Sequence, residues 1–252
     1  MGKYNSSIYR VRPLMELIEG DYSAFSSFIS LVGLNGLGKP LLYRYDGVAC
    51  KEMKMKPTKQ HLISLIDYMS TKKHDIIDIS GQDRWNLFFG SGQLRKDTRN
   101  KAIALLEKNY DKLTPSSRFW YIFEGYTNPD IFIEGDDYVI ICEGKWTEAQ
   151  ITTKTTHLSA QNEYRNQMIR HIQGGLNYTK KRIYAFYIVD RDCGYTQDLT
   201  KESLKHQLEL ETIKISDEEK AMILSSFYGF TTWQDIKERL PSVVFLDKKE
   251  IK

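Results

Sequence analysis

Near the middle of the chain, Asp130, Glu143 and Lys145 have the side-chain types and the spacing to hold a divalent cation beside a phosphate. They lie in residues 128–145, NPDIFIEGDDYVIICEGK. Two β-prone runs, 131–133 and 138–142, flank Glu134-Gly135-Asp136-Asp137, which reads as a hairpin around an Asp/Gly turn. Asp130 stands at the start of the first strand, and Glu143 and Lys145 at the end of the second. Side chains alternate along a strand, so Glu143 and Lys145 share a face, and antiparallel pairing returns them beside Asp130. Two carboxylates and an ammonium on one sheet face make a poor core, because burying unpaired charge is costly. They suit a hard cation such as Mg²⁺, which takes a few carboxylates and keeps several waters. A metal held there lowers the pKa of a bound water and offsets charge on a leaving oxygen. A lysine alongside can orient the water or stabilise developing charge. An exposed Glu–Lys pair on a surface hairpin is the plainer alternative. However, residues 138–142 are apolar on both faces, so the strand is expected to be central, with its polar end at a cleft.

The elements that must position this trio follow from periodicity. Residues 58–70 place Leu62, Leu65, Ile66 and Met69 at helical spacing, and 97–113 read as a second helix with Asp97 as N-cap. Residues 119–123, FWYIF, read as a strand ahead of the hairpin. Residues 159–179 return to helix, with Tyr164, Met168, Ile172 and Leu176 along one face and Ser159 as candidate N-cap. Residues 182–189, RIYAFYIV, form a strand apolar on both faces, as in a buried parallel arrangement. Three amphipathic helices are expected within 198–240, while residues 1–50 yield no assigned element. The expected order over 97–189 is helix, three strands, helix, strand. The whole is read as one α/β domain over 1–252, with a mixed central sheet flanked by helices. In that reading 1–96 is an N-terminal elaboration, 97–189 the core and 190–252 a helical C-terminal elaboration.

Pro129-Asp130 followed by Glu143-Gly144-Lys145, within that element order, resembles the PD-(D/E)xK signature of the restriction-endonuclease-like nuclease superfamily. The resemblance covers roughly residues 97–189. It implies a restriction-endonuclease-like core and a metal, usually Mg²⁺ with Mn²⁺ as substitute, held by Asp130, Glu143 and the backbone carbonyl of Gly144. It implies that Lys145 assists the attacking water and that the preceding helix supplies another acid. Glu107 matches that last role, with Glu124 as a second candidate. Some exonuclease branches carry a Gln and a Tyr on the following helix. Gln161 and Tyr164 lie in that region, at a spacing unlike the family's QxxxY. The implied activity is phosphodiester hydrolysis on DNA, of restriction type, in a chain that would commonly dimerise. A junction-resolving or repair nuclease with the same site stays open, as does an inactive core that only binds nucleic acid or a protein.

Charge distribution bears on the partner more than the net +3 does. Residues 53–118 carry 13 basic and 7 acidic side chains, 119–153 carry 1 and 7, and 154–182 carry 6 and 1. An acidic stretch between two basic ones fits a metal-bridged encounter with phosphates, although any single charge run is more often a solvated face. Arg165 and Arg170, with Lys180, Lys181 and Arg182, could grip a nucleic-acid backbone. Three scattered cysteines argue against disulfides or a cysteine cluster and for a reducing, cytosolic setting. No apolar run is long enough to span a bilayer. Gly33–Lys39 matches the start of a P-loop, but Pro40 replaces the required Ser or Thr, so a glycine-rich turn is the better reading. The five histidines show no metal-ligand spacing, and His157 and His171 read as surface residues near the basic helix. Asp190 and Asp192 read as caps of the loop after the last strand.

Overall fold

The computed structural model describes residues 5–71, 81–147, 152–153, 165–211, 213, 215–246 and 250. A short π-helical turn, Ser7–Val11, leads into α1 (Arg12–Gly20) and α2 (Tyr22–Ser30). Asp21 separates the two helices and caps α2, its carboxylate accepting from the amides of Ser23 and Ala24. The Gly33–Lys39 segment is a connecting turn in which Gly33 and Gly36 adopt positive φ, as the sequence led us to expect. It delivers the chain to β1 (Leu42–Tyr45). Three helices follow: α3 (Lys59–Thr71), α4 (Gln82–Phe89) and α5 (Gly92–Asn109). The hairpin is β2 (Ile131–Glu134) and β3 (Tyr138–Gly144). Two short strands, β4 (Thr152–Thr153) and β5 (Arg165–Asn166), pair with each other. The chain continues through α6 (Gln167–Tyr178), β6 (Arg182–Val189), α7 (Lys201–Leu210), α8 (Asp217–Ser226), β7 (Phe227–Thr232) and α9 (Trp233–Arg239).

The main sheet is mixed, five-stranded and ordered β1-β2-β3-β6-β7. β1, β2 and β3 form an antiparallel meander, and β6 and β7 run parallel to β3. β3 is the middle strand and is buried along its whole length. Its two faces build two cores. Ile140 and Cys142 pack with α1, α2 and α9 residues such as Leu14, Phe28 and Ile236. Val139 and Ile141 pack with α6, α7 and α8 residues such as Ile172, Leu204 and Ile223. The α/β class with helices over a mixed sheet is therefore observed. A third cluster joins α3, α4 and α5 through Leu65, Phe88 and Leu106.

Several expectations need correction. Residues 119–123 are not a strand. Tyr121 and Phe123 instead pack into the third cluster beside Phe88 and Leu106, because β-propensity reflects a half-buried pleated setting and a helix-walled pocket also takes aromatic rings. The first strand of the meander is β1, from the segment read as an N-terminal elaboration, and β7 comes from the segment read as a helical C-terminal one. The sheet thus draws on all three segments of the expected division. Helix α5 begins at Gly92 after Ser91, earlier than Asp97, whose carboxylate accepts from Gln93 Nε2 on the helix surface. α6 begins at Gln167, capped by Asn166, whose Oδ1 accepts from the Ile169 amide at 3.1 Å. The expected cap Ser159 lies outside the described residues. Helices at 59–71, 201–210, 217–226 and 233–239 and the strand at 182–189 agree with their periodicities. Among the described residues no helix is long and apolar enough to cross a membrane.

Candidate active site

The hairpin register fixes the local geometry. Ile131 faces Cys142 across β2–β3, and Tyr45 faces Ile131 across β1–β2. Extending each ladder by one residue sets Asp46, Asp130 and Glu143 in a row across three strands. The backbone agrees with this: the Asp46 amide donates to the Asp130 carbonyl at 2.9 Å. The Gly144 amide donates to Asp130 Oδ2 at 2.8 Å, which ties the Asp130 carboxylate to the end of β3. Gly144 must be glycine here, since a Cβ would lie 2.9 Å from Trp233 Cζ2 and 3.4 Å from that same carboxylate oxygen. Trp233 Nε1 donates to the Lys145 carbonyl at 2.9 Å, so α9 fixes the backbone just past β3.

Glu143 is 3% exposed and both its oxygens are engaged. Lys145 Nζ donates to Oε1 at 2.8 Å, and His171 Nε2 lies 2.9 Å from Oε2. Lys145 Nζ also donates to Gln167 Oε1 at 2.9 Å. His171 is 1% exposed, and its Nδ1 lies 2.6 Å from Thr127 Oγ1. Burial pushes the His171 ring below its ordinary pKa, against the pull of Glu143. A neutral ring satisfies both bonds at once: Nε2–H donates to Glu143 and Nδ1 accepts the Thr127 hydroxyl proton. Burial also pushes the Glu143 carboxyl up, but Lys145 and the His171 hydrogen bond outweigh it and hold the group below the usual range. Asp130 goes the other way. Burial and then the charge of Glu143 push it well above the usual range, and Lys145 and the Gly144 amide offset only part of this.

Two carboxylates and a backbone carbonyl are oxygen donors of the kind a divalent cation takes. Two neighbouring carboxylates repel each other in a partly dry setting, and added positive charge relieves this. Asp130 Oδ1 makes no hydrogen bond among the described residues. Among those residues no group of three or more His, Cys, Asp or Glu could hold a metal ion, so a cation here would keep waters or take oxygens from substrate. Asp130, Glu143 and the Gly144 carbonyl are the residues that would hold it.

The other expected site residues are placed elsewhere. Glu107 is exposed on α5, a helix that packs on α3 and α4. Arg165 is 2% exposed and is not a surface cation. It donates to Glu124 at 2.6 and 2.8 Å, to Glu211 at 2.9 Å and to Gln173 at 2.6 Å, and it faces His61 at 2.8 Å. Arg170 Nε lies 3.3 Å from Glu124 Oε1, with its side chain largely buried. Both arginines thus neutralise Glu124, which burial would raise but these cations hold well below the usual carboxylate range. A phosphate-gripping role for Arg165 and a metal-holding role for Glu124 do not fit this closed network. Lys181 pairs with Glu134, and Arg182 faces Tyr138 on β3. That is five residues from Glu143, or about 16 Å along the strand, so the 180–182 cations sit at the opposite end of the sheet. Asp190 Oδ1 accepts from the Asp192 amide and Gln234 Nε2, a loop cap as expected. Gln161, Tyr164 and His157 lie outside the described residues.

Sequence reading missed His171, Thr127 and Gln167. His171 follows Met168 by three residues on the buried face of α6, so helical spacing alone turns it inward. Thr127 and Gln167 carry no comparable signal. No known family, curated protein or solved structure matches the chain.

Proposed function

We propose that this chain is a Mg²⁺-dependent nuclease that hydrolyses phosphodiester bonds in DNA, an endonuclease of restriction type, with Mn²⁺ able to substitute. The observation that carries the reading is the meeting of Asp130, Glu143 and Lys145 at the end of the central strand, in a pair of carboxylates whose protonation preferences are driven apart. Paired acids with split pKa values, placed at strand ends, are a recurrent mark of functional sites. The element order supports the reading in a modified form. Helix α2, strands β1, β2 and β3, helix α6 and strand β6 give helix, three strands, helix, strand, with α3–α5 inserted between β1 and β2.

A bound cation would polarise a phosphate oxygen and lower the pKa of an attacking water. The chain's own residues do the rest. Asp130 and Glu143 hold the charge in place. His171 donates to Glu143 and keeps its second oxygen turned inward. Lys145, anchored by Glu143 and Gln167, offers an ammonium beside the pair, where it can orient water and stabilise negative charge. Restriction-type nucleases commonly pair to act on both strands of a duplex, so a homodimer belongs to the proposal.

Cleavage of supercoiled plasmid in Mg²⁺ tests it. Wild type should nick and linearise the plasmid, Asp130→Asn should be inactive, and Lys145→Ala should fall by about 10²–10³-fold, the usual cost of removing one electrostatic stabiliser. Equal rates for wild type and Lys145→Ala would remove Lys145 from the mechanism. Wild-type protein that binds DNA but never nicks it in Mg²⁺ or Mn²⁺ would favour the inactive, binding-only reading. Cleavage of branched DNA alone would select the junction-resolving one.

A further inference from the structure

A cavity of about 700 Å³ opens between the segment after β1, helix α4 and the irregular stretch 115–128. That volume lies inside the range of about 300–1,000 Å³ typical of ligand clefts. Its wall presents three cations, Lys54, Arg84 and Arg118, and four rings, Phe119, Trp120, Phe123 and Tyr126. Among the described residues no Asp or Glu lines it. Arg84 is held by its Nε, which donates to the Trp120 carbonyl at 2.7 Å, and Arg118 by donation to the carbonyls of Pro115 and Ser117. In each case the bonds go to backbone, so the positive charge is positioned but not neutralised. Lys54 has one acidic neighbour, Glu52, at 3.7 Å, in a pair that is largely exposed and therefore weak. Phe119 stays 41% exposed while lying parallel to Tyr121, 5.4 Å between centroids. Phe119 thus keeps part of its ring in water on the wall of a positively charged hollow.

We propose that this cavity binds an unpaired stretch of nucleic acid, its cations holding backbone phosphates and its rings stacking the bases. Cations without carboxylates select an anion, and the rings select one that also offers flat π-faces. A single strand supplies both together, whereas the bases of a duplex have their faces stacked on one another and cannot reach the rings. The position relative to the carboxylates adds a second argument. Asn128 lines the cavity, and Asp130 is two residues further on, which puts their Cα atoms within about 7 Å. A strand reaching the Asp130–Glu143 pair would therefore pass near the Asn128 edge of the cavity. Taken with the nuclease reading, on which this consequence rests, a duplex would have to open beside the scissile phosphate and pass its unpaired nucleotides to the cavity.

Fluorescence anisotropy of a labelled 12-nucleotide oligo-dT, titrated with the full chain in EDTA, tests the binding independently of any metal or cleavage. Arg118 and Phe119 are both exposed, so Arg118→Glu and Phe119→Ala should keep the wild-type circular dichroism and melting temperature. Arg118→Glu should weaken binding about 10-fold or more and reduce its salt dependence. Phe119→Ala should weaken it about 5-fold or more, as loss of one stacked base does. A 12-base-pair duplex should compete poorly. Unchanged affinity in both variants would overturn the proposal. So would competition by thymidine monophosphate or inorganic phosphate at the concentration that displaces the oligonucleotide, which would make the cavity a small-anion site. So would duplex binding as tight as single-strand binding with the same losses in both variants. A chain that binds oligo-dT through Arg118 and Phe119 yet never cuts DNA in Mg²⁺ would end the nuclease reading and leave this one standing.

Discussion

Among single residues, His171 bears most directly on the proposed site. A buried neutral imidazole held by Thr127 on one side and directed at Glu143 on the other is how proteins orient a ligating carboxylate. Loss of such a partner typically costs about 10–100-fold in metal affinity or activity. His171→Ala should therefore raise the Mg²⁺ concentration needed for half-maximal cleavage by about that factor. His171→Gln, which keeps a donor near Nε2, should recover part of it, and a role confined to packing would show no such recovery. Glu124 makes the structural counterpart. Its charge is stabilised by Arg165, Arg170 and His61, so its folded pKa lies below the ordinary 4.5. The stability it contributes is present above pH 4.5 and is lost as pH falls through the folded value. Melting temperature should drop as wild type is acidified below that point, and Glu124→Gln should melt lower at neutral pH with a shallower acid limb. Arg165→Met, which strands a buried carboxylate, should cost about 3–5 kcal/mol in denaturant unfolding. The arginine positions were misread from sequence because an Arg on a predicted helix is solvated by default. Their partner lies 41 residues away from Arg165, in a segment with no periodic signal of its own.

Elements differed in how far the sequence revealed them. The β2–β3 hairpin and β6 were legible because their apolar runs are continuous and their turns chemically explicit, and with them came Asp130, Glu143 and Lys145. β1 and β7 were not legible, since four and six mixed residues at sheet edges carry little alternation, and only pairing with β2 and β6 makes them strands. The aromatic run 119–123 shows the converse, strong propensity without a partner strand. Helix α6 is the element that brings Gln167 and His171 to the hairpin, and its approach depends on Gly174. A Cβ there would stand 2.9 Å from both Met55 Cβ and Thr127 Cγ2, across the lone bridge between those two residues. Gly174→Ala should destabilise by about 1–3 kcal/mol through overpacking. It should also reduce cleavage more than Gly20→Ala, since Gly20 ends α1 in open space. Thermal melts and initial rates measured on the same preparations would check both expectations.

For the molecule as a whole, the charge pattern along the chain divides into parts with different physical fates. The acidic stretch 119–153 supplies Asp130 and Glu143, two of the three carboxylates in the row at one end of the sheet. Of the basic residues after it, Arg165 and Arg170 are consumed in the interior and 180–182 sit at the far end. A positive wall without acidic residues among the described ones instead comes from Lys54, Arg84 and Arg118, in segments that no sheet or helix period pointed to. The account stands on Asp130 and Glu143 acting together on one cation. Titration of Mn²⁺ into the full chain, followed by the loss of the free-ion electron paramagnetic resonance signal, tests this most directly. It should show binding in wild type and in Lys145→Ala that is absent in Asp130→Asn and in Glu143→Gln. Binding of Mn²⁺ by those two carboxylate variants with wild-type affinity, or by none of the four proteins, would contradict it.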